Sequence, residues 1–230
     1  MKVYEIKLKL YIIKDIESEN TLTCLSDLID KCFSHNYFLL NFHKENRFKN
    51  YVYNGLYPIE PSKIYKGGNL YTVLIRTVDE VLLTHLEKFL VNENTEFLKA
   101  LTLEKRIIPK NYIEKIYSIT PAVAKFQNGY WRANETVEVF EKRLRENLIK
   151  KYNTYFNTKV QEDFELFTFI KFENHKPIAT NYKNIRMLGD KLTLNVAENT
   201  LAQDLVYFAL GSGILEMNSR GFGFVNYKWL

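Results

Sequence analysis

The chain has 230 residues, enough for one large domain or two small ones that each bury a core. With 46% hydrophobic and 26% charged residues it has the balance of a soluble globular protein, and a net charge of +5 permits a polyanionic partner without demanding one. No apolar run approaches the ~20 residues of a membrane span, and charge interrupts the opening Met1-Lys2-Val3-Tyr4-Glu5 where a signal peptide would be apolar, so a cytoplasmic protein without a membrane partner is expected.

The first predicted element is a half-buried strand, in which Tyr4, Ile6, Leu8, Leu10 and Ile12 alternate with Glu5, Lys7, Lys9 and Tyr11. The period then changes. Leu25, Leu28, Ile29, Cys32 and Phe33 share one face of a helix over Thr21 to Phe33, with Asn20 or Thr21 as its cap. Cys24 and Cys32 on that helix stand roughly 12 Å apart by rise alone. A disulfide needs Cα atoms within about 7 Å, so both are expected as free thiols in a reducing compartment.

Phe48 to Tyr57 reads as a second strand ending at Pro58. The Lys66-Gly67-Gly68-Asn69 turn leads into a third, Leu70 to Thr77. A helix over Asp79 to Leu90, with Val81, Leu82, Leu86, Phe89 and Leu90 inward, precedes a strand through Phe97, Leu101, Leu103 and Ile107. The order is β-α-β-β-α-β.

The same order then repeats. Ile113 to Ile119 alternates, and Glu135 to Phe156 is a long helix with Val137, Phe140, Leu144, Leu148, Tyr152 and Phe156 on one face. Phe164 to Phe172 and Ile185 to Val196 read as strands, the latter breaking at Gly189-Asp190. Leu201, Leu205, Phe208 and Ala209 suit a helix, and Phe222 to Tyr227 closes the sheet. The pattern predicts an α+β protein of two tandem ferredoxin-like domains, residues 1–109 and 110–230.

Three stretches hold candidate chemistry. Four histidines, His35, His43, His85 and His175, show no zinc spacing, and no phosphate-binding glycine motif or serine-nucleophile elbow occurs. No metal or cofactor is therefore expected. The first stretch, Phe42 to Asn54, is expected as a loop between the first helix and the second strand, where functional side chains gather. Within it His43 passes protons near neutral pH, and Lys49 stabilises negative charge. The bland reading of the same loop is a solvated turn.

The second stretch, Gly211 to Val225, carries four glycines in thirteen residues, at Gly211, Gly213, Gly221 and Gly223, with Asn218, Ser219 and Arg220 among them. Glycine-rich backbone exposes N–H groups that hold phosphate oxygens. One glycine would be explained as a helix C-cap. The third stretch is the basic side of the long helix, with Lys142, Arg143, Arg145, Lys150 and Lys151. Glu138, Glu141 and Glu146 beside them make an ordinary solvated face an equal reading.

The ending Asn218-Ser219-Arg220-Gly221-Phe222-Gly223 resembles the glycine-rich motif of the repeat-associated (RAMP) superfamily of CRISPR proteins. Ser118-Ile119-Thr120-Pro121-Ala122-Val123 is similar to the short Ser-Pro segment that opens its second domain. His43 followed by Lys49-Asn50-Tyr51-Val52-Tyr53-Asn54 resembles the branch that processes CRISPR precursor RNA. Some members of that branch supply a tyrosine from the first helix. This sequence has none from Asn20 to Asn36, the nearest candidates being Tyr37, Tyr51 and His35.

The resemblance implies a metal-independent endoribonuclease. The RNA's own 2′-hydroxyl would attack the adjacent phosphate, leaving a 2′,3′-cyclic phosphate and a 5′-hydroxyl. His43 would move protons, Lys49 would steady the phosphorane, and His35 would be a second proton-transfer group or an RNA contact. Gly211, Gly213, Asn218, Ser219, Arg220, Gly221 and Gly223, with Arg143 and Lys125, would hold the RNA. CRISPR repeat RNA is the implied partner, with other effector-complex subunits or a second copy as further ones. The competing implication is a non-catalytic RNA-binding subunit of an effector complex.

Overall fold

The computed structural model describes residues 1–45, 47–182 and 185–230, the side chains of residues 42–44 excepted. The first half runs β1 (Val3–Ile12), β2 (Ile16–Glu17), α1 (Thr21–Ser34), α2 (Tyr37–Lys44), β3 (Tyr51–Tyr53), β4 (Ile64–Tyr65), β5 (Leu70–Thr77), α3 (Glu80–Phe89) and β6 (Leu98–Ile108). The second runs β7 (Ile113–Ser118), α4 (Val137–Phe156), β8 (Phe167–Phe172), β9 (Ile178–Tyr182), β10 (Ile185–Gly189), β11 (Leu192–Val196), α5 (Thr200–Ser212) and β12 (Val225–Trp229).

Two four-stranded antiparallel sheets form, ordered β3-β5-β1-β6 and β12-β7-β11-β8. Each puts the first and third of its four strands, in chain order, at the centre, which is the ferredoxin-like arrangement. The alternation of β1 explains its central place: Ile6, Leu8, Leu10 and Ile12 are buried, while Lys7, Lys9 and Tyr11 are exposed. Leu25, Leu28, Ile29, Cys32 and Phe33 of α1 join the same core. Polar side chains close the helix starts: Asn36 accepts from Phe38 and Leu39 N–H, Asp79 from Val81 and Leu82, Thr136 from Val139, and Asn199 from Ala202. Neither Asn20 nor Thr21 caps α1 in that way. A 3-10 turn, Ser18–Asn20, feeds the helix, and the Thr21 hydroxyl donates back to the Ser18 carbonyl.

Four departures from the pattern have local causes. Phe48 to Tyr57 is strand only at Tyr51–Tyr53, because Asn50 sits at φ 56 and the Asn54 amide oxygen accepts the Leu74 N–H in place of the ladder. Val81 and Val137, read as inward, face solvent from the first turns of α3 and α4. The segment from Phe42, read as a loop, begins inside α2, whose Leu39 is anchored in the core. The run from Ile185 to Val196 splits into β10 and β11, and β10 pairs with β9, an unanticipated strand. The split is held by Asp190, fully buried, whose carboxylate accepts from Tyr130, Trp131, Arg132 and Asn174.

The halves lock through buried polar and close-packed contacts. Arg76, 2% exposed, donates to Glu5 at 2.7 Å, to the Val225 carbonyl at 2.6 Å and to Asn226 Oδ1 at 2.8 Å. Gly211 of α5 lies against Val3, Thr77 and Val78, where a Cβ would come within 2.8 Å of the Val78 side chain.

Candidate active site

The Gly211–Val225 segment is a folded clasp. α5 ends at Ser212, and the chain then visits positive φ at Gly213, Leu215, Met217, Gly221 and Gly223 around a 3-10 turn, Asn218–Arg220. At Gly221, with φ +85, an added Cβ would sit 2.7 Å from both Leu22 and Tyr53. At Gly223 it would strike the Ile214 carbonyl oxygen. The expectation that these glycines expose N–H groups to phosphate is corrected. Gly213 N–H is given to Ala209, Gly221 N–H to Asn218, and Gly223 N–H to Pro121. Gly211 is buried inside α5. The glycines let the segment fold tightly, and what it turns outward is Met217, Asn218, Ser219 and Arg220, each partly exposed.

The last three of those are tethered. Asn218 donates to the Ile214 and Phe222 carbonyls at 2.8 and 3.0 Å. The Ser219 carbonyl accepts from the Tyr51 hydroxyl at 3.3 Å. The Arg220 guanidinium donates to Ser26 at 2.6 Å and to both oxygens of Asp30, at 2.9 and 2.7 Å, on α1. Arg220 is therefore already engaged with a carboxylate, which the expected phosphate contact would have to share or displace.

The clasp forms one wall of an open pocket of about 850 Å³. Glu45, Arg47, Phe48, Lys49 and Asn50 line it as well, and α4 supplies Arg143, Glu146, Asn147, Lys150, Lys151 and Thr154, with Lys125 also in the lining. Seven Lys and Arg line it against three Glu, so a chain of net +5 concentrates its positive charge here. Lys49 Nζ donates to the Glu45 carbonyl at 2.6 Å. Burial and the neighbouring Arg47 push the Lys49 amine down to about 8, Arg220 adding to them and Glu45 opposing. Arg143 is turned to Glu216, with Nε at 2.9 Å and Nη2 at 2.5 Å from one carboxylate oxygen, while the other accepts the Lys125 backbone N–H at 3.3 Å. The Lys125 side chain is exposed at the rim.

Lys49, Arg143, Lys125, Asn218, Ser219 and Arg220 are thus brought together, although 171 positions of sequence separate the first from the last. His43 falls in the last turn of α2. Its side chain lies outside the described residues. His35 ends α1 and lies apart from the described residues lining the pocket. Its Nε2 is 2.6 Å from Glu93, and its ring stacks on Phe89 at 5.2 Å. Tyr37 projects into solvent from the start of α2. Tyr51 is buried, which pushes its hydroxyl well up and out of the range of a ready proton donor. Burial likewise raises Cys24 to about 11 and Cys32 to about 12, so neither is a nucleophile.

Among the basic positions of α4, sequence reading misplaced Lys151. It is not on a solvated face but 2% exposed, with Nζ 3.0 Å from the Gly213 carbonyl, 2.6 Å from the Leu215 carbonyl and 2.5 Å from Asn218 Oδ1. Burial pushes its amine down to about 7, with the Glu216 carboxylate opposing. Its helical spacing gave a signal: Lys151 follows Leu144 by seven positions and Leu148 by three, on the buried face.

A model of the family described as CRISPR associated protein Cas6, C-terminal, matches residues 103–227, more than half of the chain.

The chain belongs to the Cas6 family.

Solved structures of similar fold agree over both halves. One described as a CRISPR associated protein Cas6 is 20% identical, with 98% of this chain and 99% of that one covered and a TM-score of 0.70. A RAMP protein described as binding different RNA substrates is 18% identical over 98% and 99%, with a TM-score of 0.75. A Cas6 product complex is 15% identical over 99% of each chain, with a TM-score of 0.65. Comparison with curated proteins finds no match. At these identities the structures establish a shared fold, the tandem ferredoxin-like arrangement of Cas6 and RAMP proteins. The family model spans β7 to β12 almost entirely, and with them the clasp and the α4 wall of the pocket.

Proposed function

We propose that this Cas6-family chain is an endoribonuclease that cuts CRISPR repeat RNA in its precursor transcript, at the pocket between Lys49 and the clasp. The observation that carries the reading is the gathering of Lys49, Arg47, Arg143, Lys150 and Arg220 from distant parts of the chain onto one open, cation-rich pocket, in a member of this family. The relatives described as an RNA-binding RAMP protein and as a Cas6 product complex support the choice of RNA as substrate.

The chemistry is metal-independent transesterification. The 2′-hydroxyl of one nucleotide loses its proton and attacks the adjacent phosphorus in line. The bond to the 5′-oxygen breaks, and that oxygen takes up a proton. His43, in the turn that leads toward Lys49, transfers one of these protons. Lys49 donates to the phosphorane oxygens, whose charge grows as the new bond forms. Arg143 and Lys125 hold backbone phosphates at the rim, and the repeat is read from unpaired bases or a short hairpin rather than from the deep A-form groove.

The test is to incubate the purified protein with end-labelled CRISPR repeat RNA, with and without EDTA, and to analyse the product ends. One discrete product with a 2′,3′-cyclic phosphate and a 5′-hydroxyl, unchanged by EDTA, is expected. Bound but uncut RNA would instead fit a non-catalytic subunit, and inhibition by EDTA would overturn the metal-independent step.

A further inference from the structure

The clasp is a strained piece of backbone whose outward residues line the same pocket as Lys49. Leu215 and Met217, at φ 53 and 63, occupy the left-handed region that side chains with a Cβ avoid, and such conformations persist only where the surroundings over-determine them. One side chain does much of that work. Lys151 reaches from the C-terminal half of α4 into the inside of the turn, where its three N–H groups meet three acceptors: the Gly213 carbonyl, the Leu215 carbonyl and Asn218 Oδ1. The orientation of Asn218 is settled by its other end, because its Nδ2 already donates to Ile214 and Phe222 and its oxygen must face the amine.

The same Nζ lies 5.8 Å from the centre of the Phe48 ring, next in sequence to Lys49. Lys151 therefore lies between the clasp and the segment that carries Lys49. The far side of the clasp is held by Tyr51 on the Ser219 carbonyl and by Arg220 on Asp30, so the turn is fixed from α4, β3 and α1 together. Exposure of 2% and acceptors on every donor leave Lys151 no direct hold on RNA. Its effect on the reaction passes through the backbone it fixes.

We propose that Lys151 is a positioning residue for the cleavage reaction, holding the Gly213–Asn218 turn so that RNA bound along Met217–Arg220 presents its scissile phosphate to Lys49. This rests on the reading of the pocket as the cleavage site. A misplacement of about 1 Å is enough to cost up to about 10²-fold in rate when the reacting atoms must be aligned.

The experiment measures RNA affinity and the single-turnover cleavage constant at saturating repeat RNA for the full chain and for Lys151→Met, Lys151→Gln and Lys151→Arg. Each is assayed well below its own melting temperature. Lys151→Met should cut at least tenfold more slowly while its RNA dissociation constant changes less than about threefold. Lys151→Arg, which restores charged donors, should recover most of the rate. Should Lys151→Met fail to fold, Lys151→Gln keeps two donors in place and is expected to show the same separation of rate from affinity. A lower melting temperature with an unchanged rate at saturation would overturn the proposal and leave Lys151 a structural residue. An inactive unsubstituted protein would instead remove the cleavage reading itself, so the two failures are told apart by that control.

Discussion

Lys49 owes its character to its neighbours more than to its own chemistry. Burial beside Arg47, with Arg220 nearby, leaves its amine near 8, so it is mostly charged at neutral pH and loses its proton only slightly above it. The sign follows directly: if the cation stabilises the phosphorane, activity is present below about pH 8 and is lost as pH rises through that value. At pH 9 only about a tenth of Lys49 would be charged, and the cleavage constant should fall by about tenfold relative to pH 7. Lys49→Arg, whose guanidinium stays charged, should keep its rate over the same range. An identical alkaline fall in both proteins would show that another group is titrating. Lys49→Ala should slow cleavage at every pH, less severely than loss of the proton-transfer group.

At the scale of elements, α5 and the clasp show how glycine serves packing here. Gly211→Ala would drive a methyl group into Val78, Thr77 and Val3, and overfilling of this kind costs about 1–3 kcal/mol. Urea unfolding should report that loss, and an unchanged midpoint would mean that α5 does not press on β1 and β5 as described. The alternation of β1 and β5 and the helical spacings of α1, α3 and α4 made the order of elements readable, because burial on one face leaves a periodic trace. α2 left too little trace, since among its described side chains Tyr37 and Phe38 are exposed and Leu39 is the buried one. The basic positions of α4 looked alike in one dimension. Only the clasp folding over them separates Lys151, which is enclosed, from Lys142, which is in water beside Glu146. The glycine motif was legible as a motif, but its amides were read as free because the partners Ala209 and Pro121 are supplied by the fold.

Across the whole molecule, the pocket exists because the halves are held in one relation. Lys49 and Arg47 come from the first half, and α4 and the clasp from the second. Arg76 is the buried charge between them, and its removal would strand Glu5, 3% exposed, with Arg106 alone and leave the Val225 carbonyl without its guanidinium donor. Breaking such a pair costs about 3–5 kcal/mol, so Arg76→Ala should lower the melting temperature by roughly 6–20 °C in a chain of this size. A shift of a degree or less would mean that the halves are joined by α5 and the strand edges alone.

The central claim is that the turn ending α2 and the cations beyond it cut RNA. Its most direct test is His43→Ala against end-labelled CRISPR repeat RNA, with binding measured on the same sample. The account predicts cleavage slowed by about 10²-fold or more while the RNA is still bound. Cleavage at the unsubstituted rate would contradict it and remove His43 from the mechanism.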